Sequence, residues 1–570
     1  MPQNRRPSSQ HAATLLLAIG AVACVRVPAS AVPLPVAAAP ASPAQPAAPP
    51  RPNPLQAQLP LAALGDHRLI PHPVSVVPGI GAPFALTAAT VIVVPSASSQ
   101  PEARIAARVG EAVATLLRPS TGFVIPVIAA DSSAPRGAIV LRLDPNARGG
   151  AEGYDLVVTT DSVRITAAAP AGLFYGVQTL RQLLPASIEA EQFVIRAAFP
   201  WTVPTGRVLD QPRFAHRGAM LDVARHFFTV DEVQQFIDLL ALYKLNVLHL
   251  HLTDDQGWRI EIRRRPQLTR IGGRSEVGGR GGGYYTQADY AAIVRYAAER
   301  FITIVPEIDM PAHTQAAIVA YPELGCGRAI PDTSRNVPVA GLYTGIQVGF
   351  SALCYDQKAT YRFVDDVVRE LAAMTPGPYL HLGGDEAAVL TDAQYAVFME
   401  RVQEIVAKYG KTMIGWDEIG HAKLRPGTIA QMWRPDTSMA AAKQGAQLIM
   451  SPATKAYLDM KYTTSTELGH RWAAYIDLKT SYEWDPVSHF PRVTEADVLG
   501  VESALWTETV RNLGAAQYLV LPRLPAIAEL SWSPSSTHDW ERFRARIAGH
   551  APRWRLLGFN YFATPEVSWQ

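Results

Sequence analysis

From about Arg207 onward, short apolar runs recur, and each ends in polar or aromatic residues. They are Gly218 to Val223, Asn246 to Asp255, Ile302 to Asp309, Tyr379 to Glu386, Met413 to Glu418, Ile429 to Trp433, Leu448 to Ser451 and Leu499 to Trp506. Runs of this length predict strands buried on both faces, as in a parallel sheet. Between several of them the apolar period lengthens to that of a helix. Thr229-Val-Asp-Glu232 predicts a capping box, with Val233, Phe236, Ile237 and Leu240 following on one face. Thr391-Asp-Ala-Gln394 predicts a second, with Phe398, Val402, Ile405 and Tyr409 on one face and Gly410 as the stop. Eight such strands close a parallel barrel, so the expected class is α/β, a (β/α)₈ TIM barrel over 205–570. The gap from Glu418 to Ile429 is too short for a full helix and predicts one reduced crossover.

The stretch 61–204 reads as a small α+β domain. Ala89 to Val94 and Ala138 to Leu143 predict strands around a helix from Glu102 to Leu117. Tyr154 to Val158 and Val163 to Ala167 flank a turn at Thr160-Asp-Ser162, and Ala171 to Leu184 is helical. No reactive constellation falls there. Upstream, Arg5 and Arg6, the apolar run Ala12 to Val25 and Ala29-Ser-Ala31 predict a signal peptide over 1–31. An Ala/Pro-rich linker over 32–60 follows. The expectation is an exported protein, periplasmic or secreted, without a membrane span; Cys24 after Ala21-Val-Ala offers a lipid anchor as the alternative.

Composition changes this picture little. A chain of 570 residues needs more than one core. With 52 basic and 50 acidic residues, net charge +2, there is no electrostatic footprint for a nucleic-acid partner. Export permits disulfides, and Cys326 and Cys354 lie in one loop region; one bridge and two buried thiols are both open readings.

The candidate chemistry sits at the strand ends. Tyr379-Leu-His-Leu-Gly-Gly-Asp-Glu386 joins a short strand, a glycine bend and two adjacent acids, Asp385 and Glu386, at the rim where parallel barrels bind ligands. Asp254, Glu307, Asp309 and His313 close the neighbouring strands. Further on come Trp416-Asp-Glu418, Trp433, Tyr457-Leu-Asp459 and Trp506-Thr-Glu508. Recurrent Trp and acid at strand ends describe a sugar site, in which indoles cover ring faces and carboxylates take hydroxyls. His249, His251 and His313 form no compact ligand motif, so no metal or other cofactor is expected. His313 reads as a partner of a catalytic carboxylate, with Asp309 orienting its other ring nitrogen.

Four stretches carry a family resemblance. They are His381 to Glu386, Arg217-Gly-Ala-Met-Leu-Asp-Val-Ala-Arg-His-Phe227, Lys244 to Trp258, and Val305-Pro-Glu-Ile-Asp-Met-Pro-Ala-His313. In order and content they resemble glycoside hydrolase family 20, the β-N-acetylhexosaminidases. Gly172 to Leu184 resembles the small domain that precedes the barrel in that family, and Ala312 departs from its usual Gly. The resemblance implies an exo-acting enzyme that removes terminal non-reducing N-acetylglucosamine, or its galacto epimer, from an oligosaccharide or glycoconjugate. It implies a retaining mechanism in which the substrate's acetamido oxygen is the nucleophile. Glu386 would be the acid and base, its pKa raised by an ionised Asp385; Asp385 would hold the acetamido N–H and Tyr457 its oxygen. Trp416, Trp433, Trp506 and Trp472 would be walls, and Arg225, Asp459 and Glu508 hydroxyl ligands. Asp254, Asp309 and His313 would be supports.

Overall fold

The first sheet forms because 61–204 alternates apolar and polar positions while its helices keep one apolar stripe. The structure is a computed structural model that describes residues 61, 63–96, 101–130, 134–193, 201–327, 341–434 and 438–569. The expected signal peptide, Cys24 and the 32–60 linker lie outside the described residues. No described helix is long and apolar enough to cross a membrane. Seven strands make one mixed sheet: β1 (Ser75–Pro78), β2 (Ile92–Val94), β3 (Val127–Ala129), β4 (Ala138–Leu143), β5 (Tyr154–Val158), β6 (Ser162–Ala167) and β7 (Gly206–Asp210). Their order is β1-β7-β5-β6-β4-β2-β3. Helix α1 (Pro101–Thr121) buries Ala106, Val109, Val113 and Leu117 at helical spacing, and α2 (Pro170–Leu183) is buried along most of its length.

Strand β7 moves the expected domain boundary. The sequence reading began the barrel at 205, but Gly206–Asp210 pairs antiparallel with both β1 and β5 and completes the first sheet. Buried polar bonds then tie this sheet to the barrel. Lys244 Nζ lies 3.0 Å from Asp210 Oδ2, and the Tyr154 hydroxyl donates to the same oxygen at 2.6 Å. Arg217 pairs with Glu152 at 2.7 Å. Lys244 and Arg217 stand at or before the amino ends of their strands, so this junction is at the barrel's base.

Eight parallel strands close the barrel in chain order: β8 (His216–Asp222), β9 (Val247–His251), β10 (Thr303–Glu307), β11 (Tyr379–His381), β12 (Thr412–Trp416), β13 (Ile429–Met432), β14 (Gln447–Met450) and β15 (Val498–Leu505). Among the crossover helices, α3 (Val230–Leu242) and α4 (Asp392–Lys408) both start with the full capping boxes read from Thr229 and Thr391. After β12 there is only a 3₁₀ turn, Asp417–His421, as the short gap predicts.

The period-2 pleat separates two populations of side chain. Leu248, Leu250, Ile304, Leu380 and Met413 belong to the large outer core under the helices. Val247, Val305, Ile414, Ile429 and Ile449 form a separate small cluster. Two residues further along the same face stand His249, Glu307, Trp416 and Gln431. The barrel interior is therefore apolar near the strand starts and polar toward the carboxyl ends, where the site opens.

Candidate active site

The bend after β11 is made possible by two glycines. Gly383 has φ 65° and Gly384 φ 106°, and a Cβ on Gly383 would lie 1.7 Å from Asp309 Oδ1. Asp309 and Tyr395 fasten the turn: Gly384 N–H donates to Asp309 Oδ1 at 3.3 Å, and the Tyr395 hydroxyl donates to Gly384 O at 2.7 Å. Glu386 (φ 51°) and His313 (φ 55°) are non-glycine residues in the left-handed region. Such conformations cost on the order of 1–3 kcal/mol and concentrate at functional sites.

The turn delivers Asp385 and Glu386 into a hollow of about 300 Å³. Arg225, His313, Trp433, Tyr457, Asp459, Trp472, Trp506 and Glu508 also line it. Trp416, also expected as a wall, is 1 % exposed, 5.7 Å from the Trp506 ring, and its indole N–H donates to Glu307 at 3.0 Å. Trp416, Trp433, Tyr457 and Trp506 form one apolar cluster with Met220, Ala453, Met460, Ile476 and Ala504. The Trp433 and Tyr457 rings are parallel within 4°, and Trp472 stands edge-on to both, 6.0 Å from each. The Trp433 N–H donates to Glu418 at 3.0 Å.

Each polar group is held by the strand ends. Tyr457 bridges to Ala504 on β15, and the buried Arg523 donates to the carbonyls of Leu458, Met460 and Ile476, which pins that loop. Asp222 Oδ1 accepts the backbone N–H of Arg225 at 3.0 Å, and Arg225 Nη2 lies 2.8 Å from Asp254 Oδ2. Arg259 donates to the carbonyls of Ala224, Ser275 and Gly283, fixing the glycine-rich loop 272–283 against the Arg225 segment. Cys326 and Cys354 form a disulfide with Cα atoms 5.1 Å apart. Ile346 and Val348, between them in sequence, reach the lining of the hollow.

His313 corrects the sequence reading. Its Nδ1 faces Asp254 Oδ1 at 3.3 Å, not Asp309, and its Nε2 lies 3.7 Å from Asp385 and 3.6 Å from Glu386. The left-handed backbone at His313 accompanies this orientation toward the loop after β9, while Asp309 is engaged by the glycine bend.

The chain is similar to known proteins over most of its length. The model of the glycosyl hydrolase family 20 catalytic domain matches residues 214–393 and 389–535, and that of family 20 domain 2 matches 66–211. The chain belongs to glycosyl hydrolase family 20. It is 45 % identical to a β-N-acetylhexosaminidase of Cellulomonas fimi, over 88 % of this chain and 97 % of that one. A solved family 20 β-N-acetylhexosaminidase from Streptomyces coelicolor A3(2) superposes with TM-score 0.83 at 49 % identity, covering 90 % of this chain and all of that one. A mutant Streptomyces plicatus β-hexosaminidase, solved in complex with its product GlcNAc, has the same TM-score at 48 % identity over 90 % and 99 %. This chain is thus a glycoside hydrolase.

Within this family 20 site, charge is distributed differently from the sequence expectation. Burial pushes the Asp385 carboxyl up to about 7; His313 opposes the shift, and Glu418, Glu386 and Glu307 add to it. Burial also pushes Glu386 up, but His313, Arg434 and Arg225 outweigh it and hold Glu386 below its usual range. This runs against the expectation that an ionised Asp385 raises Glu386, because three cations act on Glu386. His313 is held well above the usual imidazole range: burial lowers it, but Asp254, Asp385 and Asp309 prevail. Burial and then Glu508 push Asp459 up to about 7. Tyr457 is raised well above 10 by burial and by Asp385 and Asp459, so its phenol keeps its proton.

Some site residues escaped the sequence reading. His470, 3.5 Å from Glu508, lies in an irregular loop with no periodicity to mark it. Arg434 directly follows Trp433 and could have been found from that adjacency. Beneath the site, His249, His251 and His381 surround Glu307, and His251 reaches Asp254 at 2.9 Å. His249, Glu307 and His381 offer three ligand atoms within 4.8 Å of one another, and in this fold they pair among themselves.

Proposed function

We propose that the protein is an exo-acting β-N-acetylhexosaminidase. It removes terminal non-reducing N-acetylglucosamine by a retaining, substrate-assisted mechanism, and N-acetylgalactosamine is the epimer to compare with it. The observation that carries this reading is the neighbourhood of Asp385. Its carboxylate is 7 % exposed, with Oδ1 unpartnered among the described residues, in a hollow walled by Trp433, Tyr457 and Trp506. One buried acceptor, one phenol donor and indole walls match an acetamide: N–H to carboxylate, C=O to phenol, methyl among the rings.

The unpartnered atoms support the rest. Both oxygens of Asp459 and Nε of Arg225 are buried without a hydrogen-bond partner among the described residues, and Oε2 of Glu508 has only His470 at 3.5 Å. Such atoms are costly in a folded protein unless a ligand completes them. They provide the acceptors and donor for hydroxyls of the terminal sugar.

In this reading the acetamido oxygen attacks the anomeric carbon as Glu386 gives its proton to the leaving oxygen. The resulting oxazolinium ion forms with the advantage of an intramolecular nucleophile. Glu386 then takes a proton from water as the water oxygen attacks the same carbon, which reopens the ring and restores the acetamide. Burial favours the protonated form of Asp385, while His313 and Arg434 favour the anion of Glu386; donation of the acetamide N–H favours the Asp385 anion instead and so leaves the proton to Glu386.

The test is hydrolysis of N,N′-diacetylchitobiose and of aryl N-acetylglucosaminide against aryl glucoside. Only the acetamido substrates turn over, and Glu386→Gln loses about 10²–10⁴-fold on chitobiose. Equal turnover of the plain glucoside refutes substrate assistance; full activity of Glu386→Gln refutes the acid assignment.

A further inference from the structure

Glu386 is held by a cation on each oxygen. On the buried side His313 Nε2 lies 3.6 Å from Oε2. On the rim side Arg434 Nη2 lies 3.0 Å from Oε1, with the Arg434 side chain 41 % exposed and that of Glu386 24 %. Arg434 is itself well anchored. Its Cζ lies 3.6 Å from the centroid of the Trp433 ring, and its backbone N–H donates to the buried Asp417 at 3.3 Å. Arg434 thus reaches the acid from the end of β13, whereas Glu386 follows β11. The other charges acting on Glu386 are Asp385, its chain neighbour, and Arg225.

An acid that must give its proton to a leaving group works against two adjacent cations, since each favours the carboxylate. His313 is tied into the buried network through Asp254, whereas Arg434 lies on the more exposed side with its guanidinium over the Trp433 ring. We propose that Arg434 is a positioning residue for proton donation: it fixes the outer oxygen of Glu386 and limits how far up the pH scale that acid keeps its proton. The inference rests on Glu386 being the acid, as proposed above.

The test compares the parent enzyme with Arg434→Met, which keeps a stem on the Trp433 ring but no charge, and with Arg434→Lys, which keeps the charge. kcat/KM is measured against pH for N,N′-diacetylchitobiose and for a dinitrophenyl N-acetylglucosaminide, whose departure needs little protonation. With chitobiose the basic limb of Arg434→Met moves to higher pH by roughly half a unit, as expected of a partly exposed ion pair. Arg434→Lys restores most of the parent profile. The dinitrophenyl substrate shows a smaller displacement.

A superimposable or downward-shifted limb overturns the proposal. So does an equal loss on both substrates at every pH, which marks packing on Trp433 alone. Glu386→Gln, run alongside, separates the two failures: if it remains active on chitobiose, the acid assignment is wrong. If it is inactive while Arg434→Met is unshifted, only the role of Arg434 falls.

Discussion

Replacing Tyr457 by Phe removes one hydroxyl from the hollow, together with the hydrogen bond it shares with Trp506. The ring is 2 % exposed, parallel to Trp433, edge-on to Trp472 and 6.3 Å from Trp506, and Phe keeps all three contacts. The bridge to Ala504 is backbone and is likewise unaffected. The melting temperature should therefore change little. What is lost is a neutral donor, since burial, Asp385 and Asp459 keep the phenol protonated well beyond its usual range. In the proposed mechanism that donor orients the acetamido oxygen and follows it into the oxazolinium-like transition state. Loss of one preorganised donor to a developing charge costs about 10²–10³ in kcat, or ~2.7–4 kcal/mol. The assay is steady-state kinetics on diacetylchitobiose with thermal melts of both proteins. A kcat within about threefold of the parent at unchanged stability would refute the placement of the nucleophile beside Tyr457.

Stability should depend on pH in two directions. Despite burial, His251, His381 and His249 hold Glu307 well below its ordinary range, and His249 and His216 do the same for Glu502. These contributions are present above the unfolded carboxylate range and are lost as pH falls below about 4. Asp385 and Asp459 are raised to about 7, so their contribution is complete at low pH and lost as pH rises through 7. The melting temperature of the substrate-free enzyme should peak between about pH 4 and 7, and Asp385→Asn should melt higher than the parent at pH 8 but not at pH 5. A flat profile from pH 5 to 9, the same in both proteins, contradicts this. Reduction of the disulfide, or Cys326→Ser with Cys354→Ser, removes closure of a 28-residue separation, worth about 3–4 kcal/mol on the chain-entropy account. The expected readout is faster proteolysis between the two positions, and an unchanged digestion pattern counts against it.

Much of the barrel is legible in the sequence because its strands are buried on both faces and several of its helices begin with capping boxes. The ends of the strands are less so. Tyr379 to Leu382 reads as a strand followed by a glycine bend, and ladder hydrogen bonds to the neighbouring strands persist at Leu382 and Gly383 before the left-handed glycines carry the chain out of the sheet. Gly206–Asp210 was read into the barrel because a five-residue strand does not announce its partners; register with β1 and β5 decides its sheet. Side-chain direction was the hardest to see. Spacing placed His313 beside Asp309, but a positive φ aims its ring at Asp254, 59 residues away in sequence. The ionisation of Glu386 is hidden from the sequence for the same reason, because Arg434 and His313 reach it from other strand ends.

The interior of the barrel explains why this site tolerates strain. Along β9 one face reads Val247, His249, His251, and Glu307 enters from β10 to meet both imidazoles. Glu502 joins from β15 and Asp254 from beyond β9, so ion pairs run from the polar layer of the barrel up to His313, Asp385 and Glu386. A buried network of this kind contributes little net stability, because desolvation offsets most of the attraction. Its effect is on direction: removing any member leaves a buried charge uncompensated, so alternative arrangements are penalised. That penalty is what can hold His313 and Glu386 in left-handed backbone and fix the Trp416 ring through its bond to Glu307. The polar layer is therefore best understood as the support that fixes the geometry of the acids rather than as a source of stability.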